Sequence, residues 1–275
     1  MQILLNTIAL EPNRWTKQKK PYFALNELLP KIAETGFTGL EIWQYHLSWE
    51  SKQQIREYGR QIESLGLNVP ILGLYPQLHF DGRAAEDEFR LFTEMCEAAK
   101  EFGAANLKIW LGRFSPHDLD GETQARSLSF LDRMLTHAGS MKLQMIGEMH
   151  ENTLFDSAES CEKFFSSYEK AEEILLCYQP FDFKRTDKAL DDFARFNRRI
   201  IHVHLQGRKD GAFCLLQDAD IDYPRLFSEM KQHKTVKYAS IEFVKNCVVE
   251  RPEDFDLPEV LANAWQDLLF IERDK

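Results

Sequence analysis

Four polar residues end apolar, strand-like runs in this chain: Glu148 in LQMIGE, Gln179 in ILLCYQ, His204 in IIHVH and Glu242 in YASIE. Two carboxylates, an imidazole and an amide oxygen make a mixed oxygen and nitrogen donor set. Such a set suits a divalent cation, with manganese, magnesium, cobalt and zinc all compatible. The chemistry requires the four side chains to meet, so the runs that carry them must deliver their ends to one place. Successive parallel strands of a closed barrel do this, and that arrangement makes an enzyme the leading reading.

The rest of the chain supplies the elements for a barrel. ILLNTIA, TGLEIW, LNVPILGLY, ANLKIWLG, KLQMIGE, ILLCYQ, RIIHVHL and KYASIEFV read as eight strands. Each is followed by an amphipathic segment, from ALNELLPKIAETG to LPEVLANAWQDLLFIE. Gly36 and Gly66 are expected to stop the first two helices, and Ser157 and Ser160 are candidate caps of the fifth. AEDEFRL places acidic residues in the first turn of the third helix, where the helix dipole favours them. Eight alternating units predict one (β/α)8 TIM barrel over residues 1–275 rather than an open doubly wound sheet. No GxGxxG or GxxxxGK[ST] is present to support a nucleotide-binding loop. The connections PQLHFDGRA, RFSPHDLDG and QGRKDGAFCLLQDAD then lie together on the C-terminal face and roof the site.

Composition narrows the function classes. With 34 Lys and Arg against 44 Asp and Glu, the formal charge of -10 opposes a nucleic-acid backbone, so no nucleic-acid partner is expected. The start MQILLNTIALEPNRW carries no basic stretch before its apolar run, and no run approaches membrane-spanning length, so neither a signal peptide nor a membrane span is expected. Five scattered cysteines without CxxC spacing fit reduced thiols in the cytoplasm.

The motifs GLEIW, GEMHENTLFDSAES, CYQP, HVHLQGR, DADIDYPRLF and SIEF, in this order and at these intervals, resemble the xylose-isomerase-like barrel superfamily of sugar isomerases and epimerases over nearly the whole chain. The resemblance implies a divalent metal held by Glu, Asp, His and Glu at four strand ends. Glu148, His204 and Glu242 match that pattern, whereas the Asp position falls on Gln179. A neutral amide leaves two negative charges in the ligand set instead of three, so weaker metal binding is expected, with more polarising power left to a metal that does bind. Asp182, three residues on, is either an alternative ligand or a substrate contact, the place the superfamily often gives to a His or Asn.

By the same resemblance, Glu148 and Glu242 take the acid and base roles: one removes a proton next to a carbonyl, the other returns it, and the metal stabilises the enediolate between. His150 and Arg208 leave strands five and seven at the mouth and are candidate substrate contacts. Lys108 and Trp110 on strand four and Glu41 with Trp43 on strand two are added to that set. Plainer roles compete for several of these. Trp43 and Trp110 equally suit the core, Lys108 an ion pair with Glu41, and Cys177 apolar packing. Of His202 and His204, one is expected to face the barrel interior and the other the helices, leaving His202 structural.

The function implied is a metal-dependent isomerase or epimerase of a small sugar or sugar derivative, acting on a small-molecule carbohydrate, with a homodimer or homotetramer as the assembly often found in relatives. The runner-up is a lyase that dehydrates an inosose-type keto-sugar on the same site. A barrel that only binds sugar is motivated by Gln179. A phosphodiesterase acting on damaged DNA is disfavoured by the charge and by having only eight histidines.

Overall fold

A computed structural model describes residues 1–273. Its strands are β1 (Gln2–Asn6), β2 (Gly39–Trp43), β3 (Asn68–Leu74), β4 (Asn106–Ile109), β5 (Gln144–Glu148), β6 (Ile174–Tyr178), β7 (Ile200–Lys209), β8 (Ala212–Cys214) and β9 (Tyr238–Phe243). The long helices are α1 (Leu25–Glu34), α2 (Lys52–Ser64), α3 (Gly82–Glu101), α4 (Gly121–Ser140), α5 (Ala158–Ser167), α6 (Thr186–Phe196), α7 (Tyr223–Gln232) and α8 (Leu257–Arg273). β1 to β7 and β9 run parallel in the order β6-β5-β4-β3-β2-β1-β9-β7, and pairing of β6 with β7 closes the ring. Eight parallel strands with eight covering helices form a single (β/α)8 TIM barrel.

Alternation along each strand sorts the side chains into two cores. Outward residues such as Leu5, Ile42, Leu72, Leu107 and Ile241 are fully buried in the main core beneath the helices. Tyr178 shows how a strand is pinned to its helix: its hydroxyl donates to the Ala189 carbonyl at 2.6 Å, and its ring meets Phe193 edge-on at 5.5 Å. Truncating Phe193 to alanine there would cost about 3–5 kcal/mol. Inside the barrel the apolar filling is small, with Ile146, Cys177 and Ile201 forming a separate buried cluster. The sequence's expectation of Cys177 as a packed apolar residue fits this placement.

The helix boundaries follow their sequence signals with one exception. Gly36 and Gly66 close α1 and α2 at φ +87° and +67°, in the left-handed region that glycine tolerates. Ser157 caps α5 by accepting from Ser160 N. The exception is α3, which begins at Gly82, so its first turn holds no acidic residue and the expected dipole pairing there does not occur.

The sequence reading also missed β8. Part of the connection QGRKDGAFCLLQDAD is an antiparallel hairpin, in which β7 turns back on itself through Asp210 (φ +51°) and Gly211 (φ +87°). Asp-Gly with both φ angles positive is a tight hairpin turn, a signal present in the sequence. Gly207 permits the fold-back, because a Cβ there would stand 2.4 Å from the Cys214 carbonyl oxygen. The hairpin carries Arg208 over the mouth.

Candidate active site

The period of two brings Glu41 from β2, Lys108 from β4, Glu148 from β5, three residues of β7 (His202, His204 and Gln206), and Ser240 and Glu242 from β9 into one buried polar layer, with Gln179 following β6. His204 stands at its centre. Its Nε2 lies 3.0 Å from Glu41 Oε2, and its Nδ1 lies 3.2 Å from Glu148 Oε1 and 3.2 Å from Glu242 Oε1. Nδ1 is buried yet aligned with neither carboxylate for a hydrogen bond. With Nε2–H donated to Glu41, the Nδ1 lone pair is left pointing between two carboxylates.

That arrangement fits a divalent cation. Donor atoms held roughly 2.1 Å from one ion at about right angles stand ~3 Å apart, close to the observed spacings. Glu148, His204 and Glu242 each offer one atom, and these atoms lie within 4.8 Å of one another. A second trio, Cys177, His202 and His204, shares His204 but contains no carboxylate.

Charge counting gives the same answer. The layer holds three carboxylates (Glu41, Glu148, Glu242) and one ammonium (Lys108), so neutral imidazoles leave three minus one, or two, uncompensated negative charges. A divalent cation balances them; otherwise the histidines must take up protons. Burial opposes charge on His204, but Cys177 with Glu242, Glu41 and Glu148 outweighs it and holds the imidazole well above its usual range. Burial likewise pushes Glu41 up, and His204 and His202 overcome it to hold that carboxyl well below the usual carboxylate range.

Lys108 is enclosed. Its Nζ lies 2.7 Å from Glu148 Oε2 and 3.9 Å from Glu41 Oε1, so the expected pairing with Glu41 is secondary to one with Glu148. The ammonium sits 4.4 Å from the Tyr75 ring centroid and donates to the Tyr75 hydroxyl at 3.3 Å. Burial disfavours its charge, yet Glu148, Tyr75 and the other glutamates hold it protonated, well above the ordinary lysine range. Gly73 leaves room for this meeting, since a Cβ there would lie 3.0 Å from Glu41 Oε1 and 3.3 Å from Lys108 Cε.

One expectation is overturned. His202 and His204 do not face opposite ways: both are fully buried, both lie within 3.3 Å of Glu41, and their rings meet at 4.8 Å. Residues two apart on a strand share a face, so the pair enters the barrel together. His202 Nε2 meets Ser240 Oγ at 2.7 Å beneath His204.

The other expected residues are placed as follows. Trp110 is half-buried, its ring 5.3 Å from Tyr75 and 4.7 Å from His150, and its Nε1 is buried without a partner. Trp43 is buried and packed on Tyr45 and His46. Asp182 turns its carboxylate to its own loop, accepting from Lys184 N at 2.9 Å and Arg185 Nε at 2.6 Å. Gln179 accepts at Oε1 from Gln206 Nε2 at 2.9 Å. Gln206, Ser240 and Tyr75 were not singled out from sequence. The first two stand two residues from His204 and Glu242 on the same strand face, a signal that was available.

The xylose isomerase-like TIM barrel family model matches residues 29–262. No curated protein sequence matches the chain significantly. Among solved structures, a D-psicose 3-epimerase with D-tagatose from Clostridium cellulolyticum H10 is 14% identical, covers 99% of each chain and superposes with a TM-score of 0.72. A probable 3-DHS dehydratase, AsbF, involved in petrobactin synthesis in Bacillus anthracis is 15% identical over 98% of this chain and 99% of its own, at 0.72. A xylose isomerase-like TIM barrel protein from Mycobacterium smegmatis in complex with magnesium is 14% identical over 99% of this chain and 97% of its own, at 0.69. At these identities the likeness is one of fold.

Proposed function

The chain belongs to the xylose isomerase-like TIM barrel family, and from that premise we propose that it is a divalent-metal-dependent isomerase or epimerase of a small sugar or sugar derivative. The observation that carries this reading is the lone His204 Nδ1 facing Glu148 and Glu242 at 3.2 Å each. Magnesium in one relative and a ketose in another support it.

Glu148, His204 and Glu242 would hold the cation, which when bound supplies Lewis-acid polarisation of substrate oxygens. The remaining work falls to side chains of this chain. Glu148 is kept ionised: burial pushes it up, but Lys108, followed by His204, draws it well below the usual carboxylate range. An ionised carboxylate is the form that accepts the proton next to the substrate carbonyl. Glu242, which faces the same His204 Nδ1, would take a proton from solvent and deliver it to the neighbouring carbon or the opposite face, and Glu148 would release the proton it removed to solvent. Trp110 and His150 border the same space and shield the reacting carbon from water.

Dehydration of an inosose-type keto-sugar starts with the same proton removal, and the fold of the probable 3-DHS dehydratase keeps it as the second reading. The test is proton exchange at the substrate carbons, followed by NMR in heavy water with metal-loaded protein and a panel of ketoses and inososes. The reading expects exchange with at least one sugar, abolished in both Glu148→Gln and Glu242→Gln while the fold persists. Undiminished exchange in either variant would contradict it.

A further inference from the structure

A chain of three side chains fixes the orientation of Gln179. Arg208 Nε, which can only donate, lies 2.9 Å from one terminal atom of Gln206, so that atom is the oxygen. The Gln206 nitrogen is therefore the atom that lies 3.3 Å from Glu242 Oε2, a carboxylate oxygen that accepts. The same nitrogen lies 2.9 Å from Gln179, and the Gln179 atom that meets it must be Oε1. Two independent anchors, Arg208 and Glu242, thus turn the Gln179 oxygen toward Gln206 and leave its Nε2 as a donor without a hydrogen-bond partner among the described residues.

Arg208 offers a second set of free donors. It follows His204 and Gln206 on one strand face, and its guanidinium packs on Phe183 and Phe213, 4.9 and 4.7 Å from their ring centroids. Among the described residues its terminal nitrogens make no ion pair and no hydrogen bond. A guanidinium in contact with two rings has already lost rotamer freedom, so it engages an anion at less further entropic cost. The neighbouring layer is acidic, and these donors are its answer to a negatively charged group.

We propose that Gln179 Nε2 and Arg208 form an oxyanion-binding edge of the site, and that the substrate is a sugar acid whose carboxylate docks there, close to the reacting carbons. This rests on the sugar isomerase reading and narrows it. Gln179 then serves as a hydrogen-bond donor to substrate in place of the fourth metal ligand expected from its strand position. One guanidinium matches the single charge and planar oxygens of a carboxylate. A phosphate dianion would bring a second charge beside Glu242 with no second free cation in the chain of contacts.

The test is calorimetric titration of the manganese-loaded protein with 2-keto-D-gluconate, D-fructose and D-fructose 6-phosphate, alongside a separate manganese titration of the metal-free protein. The keto-acid is expected to bind about tenfold or more tighter than the other two. Arg208→Gln should remove that advantage, lowering keto-acid affinity about tenfold more than fructose affinity, with Arg208→Lys in between. Gln179→Asp should abolish keto-acid binding while tightening manganese binding, a divergence that simple misfolding does not produce. Equal or tighter binding of fructose or the phosphate, equal losses for all ligands in Arg208→Gln, or no binding of any probe overturns the proposal. If manganese and fructose bind normally, the isomerase reading survives that result; if manganese is not taken up, both fall.

Discussion

His204 Nε2 meets Glu41 Oε2 at 3.0 Å, inside a barrel where neither residue is exposed to solvent. The carboxylate lies behind the ring, on the side opposite Glu148 and Glu242, so it sets the imidazole tautomer and raises the basicity of Nδ1. Glu41 entered the sequence reading as a substrate contact. Its oxygens are engaged by His204, His202 and Lys108, and we assign it a positioning role.

From this follows the first prediction. Glu41→Gln retains a side chain of the same size but removes the charge, and should weaken manganese affinity about 10–100-fold while leaving Glu148, His204 and Glu242 in place. Calorimetric metal titration measures it. Unchanged affinity would mean that Glu41 only fills space.

Lys108 is predicted to be chiefly a stabilising partner. Replacing it by methionine leaves Glu148 buried beside two other carboxylates without its 2.7 Å ammonium, and should cost roughly 3–5 kcal/mol of folding stability. Because loss of the ammonium leaves three uncompensated negative charges in the layer in place of two, added manganese should restore more stability to Lys108→Met than it adds to the wild type. Thermal melts with and without metal compare the two; equal metal-dependent shifts would contradict the charge balance.

The barrel was legible in the sequence because each strand run is apolar on its outward face and the first three helices close on glycines, Gly36, Gly66 and Gly103. The site was legible where a charged or imidazole side chain ended a run, as with Glu148, His204 and Glu242. It was obscure one step deeper. His202, Gln206 and Ser240 lie within the strands, and only strict use of the two-residue period places them beside their partners. The partnership of Lys108 with Glu148 depends on side-chain reach across the barrel, which no local pattern encodes. The β7–β8 hairpin was missed because its Asp-Gly turn sits in a stretch read as loop, and with it went the packing of Phe213 on Arg208.

Asp267 on α8 gives a pH prediction remote from the site. Its Oδ1 accepts from Leu216 N at 2.8 Å, while Oδ2 is buried without a partner. Burial pushes the carboxyl up to about 7. A carboxyl raised in the folded state ionises first in the unfolded chain, so its contribution is intact below about pH 4 and is lost as pH rises toward the folded value. Between about pH 5 and about pH 8 the wild type should lose roughly 2–3 kcal/mol relative to Asp267→Asn. Urea unfolding of both proteins at the two pH values checks this, and parallel stability curves would contradict it.

Whether Glu148, His204 and Glu242 bind a metal is decided by elemental analysis combined with manganese titration of the purified protein. About one manganese per chain is expected, lost in His204→Ala and weakened in Glu242→Gln, with the fold retained by circular dichroism. A wild-type protein that takes up no divalent metal, or a folded His204→Ala variant that binds it as tightly as the wild type, would rule out a metal site on these three residues.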